Sequence, residues 1–337
     1  MMTYPSNDFA AVILAAGKSK RMKSALPKAV HKICGKPVTR HVVDACLAAG
    51  IKQIVVVVGH EAEAVKAAIG SDVQYALQEE QLGTGHAAMQ AMPFIDLDNM
   101  LLLPGDAPLI TPASLKALMD SHSESGAAAT LLTAIIDEPA SYGRIVRAPD
   151  GSVEQIVEAR DASEEVLAIK EISTSIYGFN VPLLRQSLSE LRTDNAQGEY
   201  YLTDTISILR QKGHAVRAVI ASDARDTLGI NTRIELADAA AIMRRRILDQ
   251  LMLDGVTIVD PATTYVDAGV IIGKDTVIHP CTVIEGRTVI GEDCEIGPFT
   301  RLNDVSLGNK VRVVTSAITG ASVPAGSDIG PYKDIRG

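Results

Sequence analysis

Tryptophan is absent from this 337-residue chain, and four phenylalanines and eight tyrosines are all its aromatics. That scarcity argues against the aromatic platforms on which proteins stack single-stranded nucleic acid. The charge balance agrees: the net charge is −9, and there is neither a basic tail nor a basic half, so no nucleic-acid partner is expected. No apolar run approaches the roughly 18 residues of a membrane span. No charged segment precedes the first apolar stretch, as a secretory signal would need, so a cytoplasmic location is expected. The four cysteines, Cys34, Cys46, Cys281 and Cys294, are scattered without a C-x-x-C pair. They read as free buried thiols, supporting neither a zinc site nor a disulfide framework. The seven histidines show no ligand spacing. Two phosphate-binding signatures are also missing, G-x-x-x-x-G-K-[ST] and G-x-G-x-x-G.

What is present starts between Ala10 and Lys28, where the chain reads AAVILAAGKSKRMKSALPK. The apolar run Ala10 to Ala16 shows no alternation, as expected of a parallel strand buried on both faces. It ends at Gly17, and Lys18, Lys20, Arg21, Lys23 and Lys28 follow. In open α/β sheets ligands sit beyond the carboxyl ends of the strands, and a glycine there lets backbone N–H groups approach an anion. Composition and spacing reach a phosphate-binding loop and stop there.

Strand and helix signals alternate over the first 230 residues. Gln53–Val58 reads as a second buried strand and Val73–Ala76 as a short one. Met100–Leu103 reads as a third buried run, ending at Pro104-Gly105-Asp106. Helices are expected over Thr39–Ala49, Glu61–Ile69 and Gly85–Met92. This rhythm predicts a Rossmann-like, mostly parallel sheet with helices on both faces. A helical stretch, Thr232 to Leu253, carries Arg244-Arg245-Arg246, which reads as a solvated face. From about residue 255 the period becomes six. Val266, Ile272, Ile278, Ile284, Ile290, Ile296 and Leu302 recur in phase, preceded at two positions by Val270, Thr276, Thr282, Thr288, Cys294 and Thr300. A hexad repeat matches a parallel β-helix with three short faces per coil. The phase slips near Leu307 and returns at Ile329 and Ile335. The expected organisation is therefore residues 1–230, a linker helix 231–254, and a β-helix 255–337.

Several ordered segments add a resemblance. Leu14-Ala15-Ala16-Gly17-Lys18-x-x-Arg21-Met22-x-Ser24-x-Leu26-Pro27-Lys28 resembles the signature of sugar-1-phosphate nucleotidyltransferases. So do Gln78-x-x-Gln81-Leu82-Gly83-Thr84-Gly85-His86, Gly105-Asp106-x-Pro108-Leu109, Tyr142-Gly143-Arg144-Ile145-Val146, Ile156-Val157-Glu158, Asn195 to Asp204, and Asn231 in a Gly-Ile-Asn context. Over essentially the whole chain the pattern is most similar to the bifunctional bacterial family that makes UDP-N-acetylglucosamine. The resemblance implies Mg²⁺-dependent attack of a sugar 1-phosphate on the α-phosphate of UTP. It also implies a left-handed β-helix that forms a homotrimer. Leu14, Ala15, Ala16 and Gly17 would hold the nucleotide, with Gln78, Gly83 and Thr84 completing the base pocket. Arg21, Lys28 and Asp106 would be catalytic, Asp106 and Asn231 would carry the metal, and Gly143, Glu158, Ser173 and Asn231 would line the sugar.

The chain departs from the family pattern at three places. Glu171-Ile172-Ser173-Thr174-Ser175 stands where Glu-Ile-Asn-Thr-Gly is common, Pro104 precedes Gly105, and Ser19-Lys20 replaces Gly-Thr. These changes leave the phosphate and metal residues in place and keep glucose 1-phosphate or a related hexosamine phosphate open as the sugar; the Gln78 and Gly83-Thr84 pattern favours a pyrimidine without separating UTP from dTTP. A non-catalytic scaffold on the same fold is the reading from another class. The family's second activity, acetyl transfer, uses residues further along the β-helix than Gly337, so it is not expected of these residues.

Overall fold

The computed structural model describes residues 8–17 and 20–337, apart from the side chain of residue 20. Lys18 and Ser19, two members of the cationic loop, lie outside the described residues. The chain divides into two compact units, residues 1–31 with 37–233, and residues 32–36 with 234–337.

The first unit is built on a nine-stranded sheet. Its strands are β1 (Phe9–Leu14), β2 (Gln53–Val58), β3 (Gln74–Leu77), β4 (Asn99–Pro104), β5 (Ala129–Ile135), β6 (Arg144–Arg147), β7 (Val153–Val157), β8 (Glu171–Asn180) and β9 (Val216–Ile220). The order is β9-β5-β8-β4-β1-β2-β3, with β6 paired to β8 and β7 to β6. The first apolar run explains why β1 lies in the middle. Ala10 and Val12 pack into the core on one face, Phe9, Ala11 and Ile13 into the core on the other. Helices α1 (Val38–Ala48), α2 (Ala62–Ile69), α3 (Thr84–Ala91) and α4 (Pro112–Ser125) fall between the strands, as the rhythm requires. Thr111 caps α4 by accepting from the Ser114 amide, and Pro112 follows at the first helical position.

The sheet is more mixed than the sequence rhythm suggests. β1 is parallel to β2 and β4, but β8 runs antiparallel between β4 and β5. The cause is the excursion after β5. A β6–β7 hairpin and a one-turn helix, Glu164–Leu167, connect β5 to β8 in place of a long crossover helix, and the chain re-enters the sheet in the opposite direction.

The second unit is a left-handed parallel β-helix of three sheets, with five, five and four strands. The hexad aliphatics point inward and stack directly: Val266 on Ile284, Ile272 on Ile290, Ile278 on Ile296, Ile284 on Leu302. Those pairs are one 18-residue coil apart. The phase slip is a shortening of the coil: Ile290 pairs with Leu307, Leu302 with Ile318 and Leu307 with Val323. The Thr column two residues before the aliphatics is buried as well.

Three features of this unit differ from expectation. The long helix Arg233–Leu253 groups almost entirely with the β-helix. Residues 32–36, which form most of a two-stranded hairpin, group with it too; the Cys34 carbonyl accepts from the Ala268 amide at 3.0 Å. The arginine run is not simply solvated: Arg244 lies 4.3 Å over the Tyr265 ring, and Arg245 pairs with Asp249. Nor are the cysteines all buried, as expected. Cys46 and Cys294 are buried, but Cys34 is half-buried and Cys281 is exposed.

Within the Thr column, Thr276 donates to the Gly291 carbonyl at 2.9 Å and Thr288 to the Glu285 carbonyl at 2.7 Å. Thr282 is fully buried, and its Oγ1 finds no partner among the described residues. A buried, unpaired hydroxyl is destabilising, and an apolar group of the same shape removes that cost. Thr282→Val is therefore expected to stabilise the protein by about 1 kcal/mol. Thermal unfolding checks this, and a lower midpoint than wild type would refute it.

Candidate active site

The carboxyl ends of β1, β2, β3 and β4 converge through backbone hydrogen bonds. Ala15 donates to the Val57 carbonyl, Gln78 to Val58 and Gly105 to Leu14, each at 2.8 Å. Leu14 to Gly17, Gln78 and Gly105-Asp106 are thereby brought to one edge of the sheet. Pro104, lacking an N–H, stands opposite Leu14 at the end of β4, and Gly105 supplies the next donor. The close approach requires glycine at 105, since a Cβ there would stand 2.9 Å from the Leu14 oxygen and 3.1 Å from the Ala15 Cβ. Thr39, at the start of α1, donates to the Gly105 carbonyl at 2.7 Å and completes the corner.

Beside that corner the cations and oxygens meet. Lys28 Nζ forms an ion pair with Asp106 Oδ2 and donates to Asn231 Oδ1 at 3.2 Å. Arg21 donates to the same Asn231 oxygen at 2.9 Å, across 210 residues of sequence. Asp106 holds the returning chain through its carbonyl, which accepts from the Ile230 amide at 2.9 Å, and Tyr142 Oη accepts from Gly229 at 3.0 Å. The four residues singled out for phosphate and metal thus form one cluster, about a quarter exposed at Asp106. An ion pair this open contributes only about 0–1 kcal/mol to folding, so its placement matters more than its strength. The donor set, a carboxylate and an amide oxygen converging on one cationic nitrogen, fits a hard divalent cation with oxygen ligands.

A second group forms around Gln78. Gln78 is buried, and its Nε2 lies 3.1 Å from the Gly83 carbonyl and 3.1 Å from His86 Nδ1. Thr84 Oγ1 accepts from the Leu202 amide at 3.1 Å, so its side chain braces the loop. Tyr200 pairs with both Leu82 and Gly85 through its backbone at 2.8 Å.

The third group lies next to the same 200–203 segment. Thr203 donates to Glu158 at 3.1 Å, and a Cβ on Gly143 would stand 3.6 Å from Glu158 Oε2. Ser173 donates its amide to the Gly143 carbonyl at 2.9 Å. Gly143, Glu158 and Ser173 are therefore neighbours, whereas Asn231 sits with Arg21, Lys28 and Asp106. Burial pushes the Glu158 carboxyl above its ordinary pKa; the Thr203 hydrogen bond opposes this, and Asp204 and Asp161 add to it. Ser173 is buried, with its hydroxyl 3.0 Å from Tyr177 Oη, so the departure from asparagine turns a polar group into the core.

Three participants carried no assigned role in the sequence. Two are Thr39, on the Gly105 carbonyl, and His86, beside the Gln78 amide. The third, Arg233, donates to the Met22 carbonyl at 3.3 Å and approaches His31 Nδ1 at 3.3 Å, pinning the cationic loop at two points. His31 is accordingly held below its ordinary pKa by burial and by that guanidinium. None of the three has a local signal, because each acts through a partner distant in sequence or through a turn of the backbone.

Residues 11–169 match the MobA-like NTP transferase domain, and residues 269–304 match the bacterial transferase hexapeptide of six repeats. Bifunctional protein GlmU of Caldanaerobacter subterraneus subsp. tengcongensis is 48% identical over 98% of this chain and 72% of its own length. Those of a Geobacillus species and of Enterococcus faecalis are 50% and 47% identical, over 97% of this chain and 72% of each relative. No described helix is long and apolar enough to cross a membrane. With the transferase sheet and the hexapeptide β-helix both present, the chain belongs to the bifunctional GlmU family and is a nucleotidyltransferase.

Proposed function

We propose that this chain joins UTP and N-acetylglucosamine 1-phosphate to give UDP-N-acetylglucosamine and pyrophosphate, in the cytoplasm. The observation that carries the reading is the meeting of Arg21, Lys28, Asp106 and Asn231 at the carboxyl ends of β1 and β4. A phosphate oxygen of the sugar 1-phosphate attacks the α-phosphorus of UTP in line. The bond from that phosphorus to the oxygen bridging to the β-phosphorus breaks, and its electron pair leaves with pyrophosphate. Such transfer needs alignment and charge neutralisation more than a protein nucleophile. Arg21 and Lys28 neutralise the phosphates. Asp106 Oδ2 and Asn231 Oδ1, on which Lys28 and Arg21 now rest, would be the oxygens that hold Mg²⁺. The ion, when bound, supplies Lewis-acid neutralisation of charge on the α-phosphate. Leu14 to Gly17 with Gln78 and Gly83 hold the nucleoside, and Glu158, Gly143 and the Ser173 backbone face the sugar. Burial raises the Glu158 pKa, and its carboxylate can accept hydrogen bonds from sugar hydroxyls. The β-helix serves a homotrimer, its stacked faces suiting three-fold packing.

The test is pyrophosphate release with Mg²⁺, crossing UTP, dTTP, CTP and GTP with N-acetylglucosamine, N-acetylgalactosamine and glucose 1-phosphates. Release should peak with UTP and N-acetylglucosamine 1-phosphate. A different best sugar would overturn the substrate, and no release with any pair would overturn the catalytic reading.

A further inference from the structure

We propose that His86 sets the base selectivity of the nucleotide pocket by fixing which end of the Gln78 amide faces the base. This deepens the uridylyl reading and rests on it.

A backbone carbonyl only accepts, so the end of the Gln78 amide 3.1 Å from the Gly83 oxygen is the NH₂ end. The same nitrogen lies 3.1 Å from His86 Nδ1. Its second N–H therefore goes to the ring, and Nδ1 is the bare nitrogen of a neutral imidazole. The ring proton is then on Nε2, which lies 3.1 Å from Gln90 Nε2; two donors cannot face each other, so the Gln90 amide is turned end for end and its oxygen accepts from the ring. The two N–H groups of Gln78 are both engaged, and the backbone is too, its N–H on Val58 and its carbonyl near Gln81. Among the described residues nothing donates to Gln78 Oε1.

An amide free to turn could offer a base either a donor or an acceptor. Held in this way it offers only an acceptor. The matching base presents an N–H at that point, as the imide N3–H of uracil or thymine does. Cytosine carries a bare lone pair on N3, so two acceptors would face each other. A buried polar group left facing the wrong partner is what gives hydrogen-bonding sites their discrimination. Gly83 supplies one half of the lock through its backbone; His86 is the half that a side-chain substitution removes. His86 does not touch substrate and is a positioning residue.

The experiment compares kcat/KM for UTP and CTP in the wild type, His86→Leu and His86→Asn, with thermal melting of each. His86→Leu removes the acceptor and should lower the UTP-to-CTP ratio about tenfold or more. His86→Asn puts an acceptor oxygen on the same branch point as Nδ1 and should hold the ratio within about threefold. A wild-type ratio in a folded His86→Leu, or equal losses in both variants, would overturn the proposal. A ¹⁵N-histidine spectrum of the wild type tests it without turnover: His86 should show an unprotonated Nδ1 and a protonated Nε2. The opposite tautomer would overturn it whatever the kinetics. A wild type preferring CTP, or turning over neither nucleotide, would instead sink the uridylyl reading that the proposal rests on.

Discussion

Asp106→Asn should fold like the wild type and turn over about 10²–10³-fold more slowly, the loss typical when a preorganised electrostatic contact to the transition state is removed. Asparagine keeps the size of the side chain and the backbone carbonyl that accepts from Ile230. It removes the negative charge opposite Lys28 and weakens one of the two oxygens suited to a divalent cation. The ion pair is partly exposed, so its loss should change stability by no more than about 1 kcal/mol. The expected signature is a large fall in kcat with an unfolding midpoint close to the wild type, read by pyrophosphate release and thermal melting. Raising the Mg²⁺ concentration should recover part of the activity, because asparagine still offers an oxygen. Activity within about threefold of wild type would show that Asp106 serves the corner of β4 and not the chemistry; this limit lies far inside the loss such contacts carry.

The strands that build this corner were readable because burial on both faces leaves unbroken apolar runs. Ala10 to Ala16, Gln53–Val58 and Met100–Leu103 all became strands within two residues of their expected ends. Strand direction was not readable. β8 carries no residue that distinguishes antiparallel from parallel pairing; the deciding fact is the hairpin before it, a matter of connection and not of composition. The β-helix was readable because its period is unlike any other and because one position per hexad must be aliphatic. Its shortened coils were visible only as a loss of phase, since a coil can drop a residue at a corner without disturbing the stack.

The site divides in the same way. Gly17 and the cations after it announce a phosphate loop by local composition. Asp106 and Asn231 stand 125 residues apart in the sequence, and only the resemblance linked them before the structure placed both oxygens on Lys28. Gln78 illustrates the limit. An amide in the sequence has both a donor and an acceptor to offer, and the Gly83 carbonyl and His86 decide which remains.

Gly83→Ala should abolish productive nucleotide binding, raising the KM for UTP by about two orders of magnitude or more, because two independent costs meet at this position. The first is conformational. Gly83 adopts φ +110° and ψ 176°, a region essentially closed to residues with a Cβ, and occupying it costs about 1–3 kcal/mol. The second is steric. A Cβ would stand 2.6 Å from the Tyr200 oxygen, 2.9 Å from the Tyr200 nitrogen and 2.9 Å from the Glu199 Cβ. Two of those neighbours are backbone, held by the Tyr200 hydrogen bonds to Leu82 and Gly85, so no side-chain rotation relieves the contact. The loop and the 199–203 segment must separate. That separation displaces the Gly83 carbonyl from Gln78 and weakens the seat of Thr84 on the Leu202 amide. The KM for sugar 1-phosphate should rise less, because Glu158 meets the same segment only through Thr203. Steady-state kinetics with each substrate varied in turn separates the two effects, and circular dichroism confirms that the sheet survives. A variant whose KM for UTP stays within about threefold of wild type would mean that the loop accommodates a Cβ by moving away from the base, since the strain alone exceeds that margin. The contact between loop and base would then be absent from the mechanism, and the base pocket would have to be sought on the Leu14–Gly17 side of the sheet edge.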